Sequence, residues 1–395
     1  MQEHFDVVIV GAAVVGSAAA YFLAQDSAFK GSVLLLEQDL SFQHCATTRS
    51  VASIRHQFST PENVRMSMFG TTFLRAAGEL LAVDGVAPAL AFHEPGYLFL
   101  TTEAGHAVLQ ANHRVQRAEG ADIGLLSPAE LGARFPWLQR HDLAGGALGL
   151  SGEGWLDAHA LMHGLCRKAV ALGAVVRQGQ VVDVVRTPRG VDSVVLADGS
   201  RIGCGWLINA AGTGATTLAR QAGIVLPVQS RKRCVFHFKS PALLPGCPLV
   251  VDPTGLYFRP EGHAGHGFLC GMAPPPEEDP ECHDFEVPLH WFEERLWPAL
   301  AHRVPGFEAA RLHSAWAGHY DFNLLDHNLI LGAHPDVPNL LFANGFSGHG
   351  VQQAPAVGRA LSELVVAGRF RTLDLSALGW QRVIDGRPLR ELNVV

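Results

Sequence analysis

Charge is scarce in this chain. Only 17% of its 395 residues are Asp, Glu, Lys or Arg, against about 25% in an average soluble protein. The net charge is −7, and without a basic excess there is no surface suited to nucleic acid or an anionic membrane. Paired cysteines are missing too. Cys45, Cys166, Cys204, Cys234, Cys247, Cys270 and Cys282 are odd in number, and no two stand in a C-x-x-C spacing. They read as free thiols of a reducing compartment, with a strand beginning too near Met1 to leave room for a leader; the expected location is cytoplasmic. The 20 histidines do not form zinc-type spacings, His263 with His266 and Cys282 with His283 coming nearest, so no metal site is expected. There is no G-x-S-x-G nucleophile turn, no repeat and no low-complexity tract.

Long unbroken apolar runs are lacking as well. Val7 to Ala24 is uncharged and, at about 18 residues, reaches the lower edge of a membrane span. Gly11 and Gly16 split it, however, and Asp6 and Asp26 flank it. It reads better as strand, turn and buried helix, so a membrane span is not expected.

What the chain has in plenty is glycine, 42 residues of it. Two glycine-rich turns stand out, Gly11-Ala-Ala-Val-Val-Gly16 after the apolar run Phe5 to Val10, and Gly345-Phe-Ser-Gly-His-Gly350 after Asn339 to Asn344. Each follows a strand-like run and opens a helix-like one, a geometry that presents backbone N–H groups and a positive helix end to an anion. Two such turns, one near each end of the chain, predict one long ligand held at both ends, and a flavin dinucleotide fits. The first turn departs from G-x-G-x-x-G at Ala13. Even so, a strand over Phe5–Val10, a helix over Ala12–Leu23 and a strand over Ser32–Leu36 make a βαβ unit. Glu37, 21 residues after Gly16, is placed to accept the ribose hydroxyls and to repel a 2′-phosphate.

Further along, Trp206–Asn209 reads as a third strand, followed by a small-residue turn through Gly212 and a helix over Ala215–Ala222. Val181–Val185 and Ser193–Leu196 alternate like a small antiparallel sheet. A last helix is predicted over Ala354–Val366, with Pro355 near its start. The segments 94–149 and 228–325 carry aromatics, scattered histidines and prolines, and read as a second unit inserted into the first.

The stretches SVASIRHQFSTPENVRMSMF, RFPWL, EGWLDAHAL, RKRCVF, GLYFRPEG, SAWAGHYDFNLLDHNLILG and GFSGHGVQQAPAVGRALSEL run through nearly the whole chain. In them the sequence resembles the FAD-dependent amine and amino-acid oxidoreductases typified by D-amino-acid oxidase, sarcosine oxidase and glycine oxidase. Within that family it is most similar to the FAD-dependent oxidoreductase domain-containing protein 1 group, whose animal member is a mitochondrial complex I assembly factor. The resemblance implies an α/β fold with a Rossmann-like FAD-binding domain (1–93, 150–227 and 326–395). An inserted α+β substrate domain (94–149 and 228–325) completes a p-hydroxybenzoate-hydroxylase-like architecture. It implies cofactor contacts at Gly11, Ala13, Val15, Gly16, Glu37, Gln38, Thr47, Thr48, Val182, Ala211 and Gly212. The second turn adds Gly345, Phe346, Ser347, Gly348, His349, Gly350 and Val351, whose N–H groups would meet the flavin N1–C2=O edge.

The same resemblance suggests the chemistry. Arg55, in Ser53-Ile-Arg-His56, is expected to hold a substrate carboxylate bidentately, with Arg259 the second candidate. Trp316, His319, Tyr320 and Asp321 are expected on a loop beside the ring, where His319 would take a proton from a substrate ammonium; Tyr320 and His349 complete the catalytic candidates. Two departures stand out. The lysine that helps bind carboxylate in monomeric sarcosine oxidase is replaced by Gln352. The cysteine that anchors its flavin falls at Gly318, and Ser50 stands where other relatives have a linking histidine, although His44 is near. FAD is therefore expected to be non-covalent.

The expected reaction is hydride transfer from the C–H beside an amine, with an amino acid or secondary amine as the small-molecule substrate. The alternatives are a 2-hydroxy-acid dehydrogenase and a flavin-bearing assembly or interaction factor with little turnover. The electron acceptor, whether oxygen, a quinone or a protein, stays open.

Overall fold

Strand β1 (Glu3–Val10) has no polar residue after Asp6 to mark a wet face, and Val7, Val8 and Ile9 are wholly buried. Such a run belongs at the centre of a sheet covered on both sides. The computed structural model describes residues 3–262 and 265–393. In it β1 lies between the parallel strands Arg201–Asn209 and β2 (Val33–Glu37). Val175–Gln178 extends the sheet beyond β2, and Val337–Asn344 extends it beyond Arg201–Asn209, both parallel. Ile330–His334 closes one edge antiparallel. The hairpin Val181–Thr187 and Gly190–Leu196 pairs antiparallel with Arg201–Asn209.

Helix α1 (Val14–Gln25) covers one face of this sheet together with the long helix Gly350–Ala367, which only the short helix Trp380–Ile384 follows. The two helices touch through small residues: a Cβ on Gly358 would fall 2.6 Å from the Ala18 carbonyl carbon. Helix α1 starts two residues later than its composition predicts, because Ala12 and Ala13 are used in the turn. Helix Gly350–Ala367 starts four residues earlier than its composition predicts. Pro355 thus lies inside the helix, where the missing N–H deprives the Val351 carbonyl of its helical partner. The uncharged stretch 7–24 is divided between β1, the turn and α1. Among the described residues no helix is long and apolar enough to cross a membrane.

A second sheet runs, in spatial order, Arg311–Asn323, Val228–Lys239, Gly267–Gly271, Tyr257–Glu261, Leu249–Val251, Tyr97–Thr101, Gly145–Gly149 and Ile123–Leu126. All neighbours are antiparallel except Leu249–Val251 with Tyr97–Thr101. Period-two alternation gives it two different faces. Phe236, Phe238, Phe258 and Phe268 pack into its own core with Phe307, while Tyr97, Leu249 and Tyr257 belong to the opposite side. That side roofs the functional site. Trp316 to Asp321, expected on a loop, lie in the regular strand Arg311–Asn323, since twelve register pairs tie it to Val228–Lys239.

Candidate cofactor cleft and substrate pocket

The first glycine turn is built by steric exclusion. Gly11 has φ +98°, and a Cβ there would lie 2.3 Å from the Ala210 carbonyl oxygen. A Cβ on Gly16 would lie 1.8 Å from the Gly11 carbonyl oxygen, so neither position admits a side chain. Ala13 is tolerated because its backbone is extended (φ −66°, ψ −170°). Glu37 Oε2 accepts the Ala12 N–H at 2.9 Å, and Oε1 accepts the Asp39 N–H at 3.1 Å. The carboxylate is thus fixed beside the start of α1.

The turn opens onto a cavity of about 340 Å³ lined by Gly11, Ala13, Val15, Glu37, Gln38, Thr47, Ala211 and Gly212 from one side. His319, Tyr320, Phe346, Gly348, Gly350 and Val351 line the other. The remaining expected contacts lie elsewhere. Gly16 packs inside the turn. The Thr48 hydroxyl is turned to the Phe42 and Cys45 carbonyls, and Thr48 borders a separate, open cavity. Val182 has a 44% exposed side chain on the hairpin, outside the cleft lining. In the second turn the Gly345 N–H is given to Asp321 Oδ2 at 2.7 Å. The Ser347 and His349 N–H groups go to the Asp321 and Phe346 carbonyls at 3.0 Å each. These three N–H groups are spent within the protein, because a turn this tight satisfies its own backbone first. Asp321, expected beside the ring, borders the cleft and is buried, which pushes its pKa up to about 6. Ser50 and His44, placed near the flavin by the comparison with covalently linked relatives, border the cleft, and so does Cys45, which was not expected there.

Past Tyr320, Ser50 and Gly348 the cleft meets a second cavity of about 50 Å³. Its walls include Arg55, Tyr97, Leu249, Tyr257, His349 and Gln352. Gly348 (φ +94°) makes the junction possible, since a Cβ would come within 2.7 Å of the Tyr320 ring. The chain has four tyrosines, and three of them surround this pocket. Burial raises the pKa of each, that of Tyr97 to about 12, so all three are neutral hydroxyls near pH 7. Tyr97 and Tyr257 were not among the sequence candidates; the scarcity of tyrosine was the one available signal.

Arg55 is 2% exposed. Its Nη1 donates to the Gln57 carbonyl at 2.5 Å, and its Nη2 donates to the Asn393 carbonyl and faces His349 Nε2 at 3.1 Å. The guanidinium lies 4.1 Å from the Phe58 ring centroid. Burial, and next the Arg55 charge, push the His349 pKa well down, so its Nε2 is a neutral acceptor. The bidentate clamp expected of Arg55 is therefore not available as the side chain stands. Arg259 borders the other cavity with Thr48, paired with Glu261 and donating to the Val51 carbonyl at 3.1 Å. It does not reach the tyrosine pocket. His319 is 6% exposed, its Nε2 has no hydrogen-bond partner among the described residues, and burial lowers its pKa.

The C-terminal segment straps this site. Glu391, 1% exposed, accepts from the N–H and hydroxyl of Ser59 (2.8 and 2.7 Å) and from the hydroxyl of Thr60 and Nδ2 of Asn63 (3.0 Å each). Asn393 follows, with its carbonyl on Arg55 and its Nδ2 on the Gln57 carbonyl at 3.1 Å.

A cradle that only glycine fits, a carboxylate at the end of β2, and an apolar cleft leading to a buried cation suit an adenine dinucleotide with a flavin ring. Residues at Gly11–Val15 would hold its pyrophosphate and Glu37 its ribose. Fold and site together define a flavin-dependent oxidoreductase. The model of the FAD dependent oxidoreductase family matches residues 6–364, and the chain belongs to that family; FAD is its cofactor. It is 40% identical to the FAD-dependent oxidoreductase domain-containing protein 1 of Xenopus laevis over 432 residues, covering 100% of this chain and 85% of that protein. It is 24% identical to monomeric sarcosine oxidase of Bacillus sp. (strain B-0618), over 93% of this chain and 94% of the enzyme. Among solved structures, L-proline dehydrogenase from P. horikoshii shares the fold, with a TM-score of 0.85 at 22% identity, covering 98% of this chain and 100% of that one.

Proposed function

We propose that this protein oxidises the carbon–nitrogen bond of a small amino acid or carboxylate-bearing secondary amine. One observation carries this reading. Of the four buried arginines, Arg259, Arg303 and Arg382 each meet a carboxylate, and Arg55 meets none among the described residues. A buried positive charge without a counter-ion is costly, and the deficit is removed by an anionic ligand in the adjoining pocket. A water needs roughly 10–15 Å³ of such space, so the cavity of about 50 Å³ accommodates about three to five non-hydrogen atoms. That is room for the carboxylate end of a small amino acid, the rest of which would extend into the adjoining cleft. Two of the relatives above are named for amine substrates, sarcosine and L-proline.

FAD, when bound, supplies the two-electron oxidant. The chain's own residues do the rest. Arg55 and the tyrosines hold the carboxylate end and so orient the carbon to be oxidised. His319, which borders the cofactor cleft and is kept neutral by burial, is the candidate to take the ammonium proton, since an amine must be neutral before it gives up hydride. The pocket is roofed by the second sheet, which excludes water. At Gly318 no side chain is available to bond the flavin, and acid should release FAD intact.

The test is anaerobic mixing with candidate substrates while flavin absorbance is followed. Glycine, N-methylglycine or proline should bleach it, and the same amines without the carboxyl group should not. Equal bleaching by amines lacking a carboxylate would sink the Arg55 reading. Bleaching by 2-hydroxy acids alone would mark an alcohol dehydrogenase, and no bleaching by any of these would leave a flavin-bearing interaction protein.

A further inference from the structure

We infer that Glu153 is a proton-linked counter-charge of Arg55: an anion that binds at Arg55 draws a proton onto Glu153, a carboxyl group it never touches. This rests on Arg55 being the charge of the substrate site. Glu153 is wholly buried. A Cβ on Gly149 would fall 1.8 Å from its Oε2, so the carboxyl group is packed tightly in place. It meets no cation among the described residues. Its Oε1 accepts the His56 N–H at 2.5 Å, and its Oε2 accepts from Gln57 Nε2 at 2.8 Å. The backbone carbonyl of the same Gln57 accepts from Arg55 Nη1 at 2.5 Å. One residue thus stands between a buried carboxyl group and a buried guanidinium. They feel each other's charge without forming an ion pair.

Ionised Glu153 offsets the Arg55 charge from behind; protonated Glu153 leaves that charge whole. Burial opposes ionisation and the Arg55 charge favours it; burial wins, and the pKa stands at about 7. An anion in front of Arg55 cancels the field that helps Glu153 ionise, so a proton is taken up. By reciprocity the proton favours the anion to the same extent. Anion affinity is then full below pH 7 and falls as pH rises through that value. The other groups that face this pair titrate elsewhere. Burial lowers His56 to about 4 and His349 further, and raises Tyr97, Tyr257 and Tyr320. Beyond His56, Arg75 and Glu94 pair with each other, which holds both charged. Asp321, at about 6 beside the cleft, is the rival carboxyl group.

Acetate, with FAD-loaded protein and the flavin absorbance change as readout, tests this without turnover, because it stays ionised from pH 6 to 8.5. Wild-type affinity should fall roughly five- to tenfold across that range. Calorimetry near pH 7 in buffers of different ionisation heat should show net proton uptake on binding. Infrared difference spectra should gain the C=O band of a protonated carboxyl group. Glu153→Gln, neutral at every pH, should bind acetate at both ends of the range as wild type does at pH 6, with no uptake. A merely structural role would instead change affinity equally at both ends. Asp321→Asn should keep the pH dependence and the uptake, and it carries the assignment if melting temperatures show Glu153→Gln to be unfolded. Acetate binding without proton uptake in wild type, uptake retained in a folded Glu153→Gln, or uptake lost in a folded Asp321→Asn overturns the inference. Wild type that fails to bind acetate even at pH 6 would instead remove the Arg55 reading, and this inference with it.

Discussion

Asp321 Oδ2 accepts a 2.7 Å hydrogen bond from the Gly345 N–H, and this contact locks the second glycine turn to the strand that carries His319 and Tyr320. Asp321→Ala leaves that N–H buried and unpartnered, a cost of about 1–3 kcal/mol. The midpoint of urea unfolding should fall and FAD should dissociate faster. Asp321→Asn retains an acceptor oxygen and should be milder. Equal stability of the alanine variant and wild type would show that the turn holds itself.

Gly16 and Ala13 belong to one motif but should answer substitution differently. Gly16→Ala puts a methyl 1.8 Å from the Gly11 carbonyl oxygen. The turn must open, so the purified variant should be colourless or insoluble. Ala13→Gly changes nothing the extended backbone requires, and FAD affinity measured by fluorescence should stay within about twofold, well under the 1.4 kcal/mol that marks a tenfold change.

Glu153 gives a pH signature. It is wholly buried, and burial raises its pKa from 4.5 to about 7. Its oxygens accept from the His56 N–H at 2.5 Å and Gln57 Nε2 at 2.8 Å. Between pH 4.5 and 7 the folded chain keeps a proton that the unfolded chain has lost. Its contribution to stability therefore falls as pH rises through that window. Glu153→Gln should lose less stability than wild type between pH 5 and 7.5 in denaturant titrations. Parallel curves would contradict the assignment.

The strap is open to a direct test. Glu391→Ala strips Ser59, Thr60 and Asn63 of their shared acceptor. A loss of at least about 2 kcal/mol follows from several unsatisfied buried donors. Proteolysis should then begin in the C-terminal segment before the rest of the chain is cut. A variant that resists protease as wild type does would mean the segment is held by Asp326 and Asn328 instead.

Local signals fixed much of this protein in advance. Strand β1, its glycine turn, helix α1 and Glu37 follow from residues close in sequence, where apolar runs, steric exclusion at Gly11 and Gly16 and one acidic position leave few alternatives. Arg55, His319 and Tyr320 were likewise visible in their motifs. Finer boundaries were not, since Ala12 and Ala13 look helical by composition and yet serve the turn.

Tertiary structure alone decided what those residues can do. Tyr97 and Tyr257 lie far apart in sequence and meet because two strands of the second sheet present the same face. The strap reaches Arg55 from more than three hundred residues away and takes the hydrogen its motif reserved for a ligand. Gln352 reads as a lost lysine, yet its oxygen is the acceptor that holds the Arg55 N–H. Hydrogen-bond donors are shared among whatever acceptors the fold brings near, and only the folded chain shows which donors remain for the substrate.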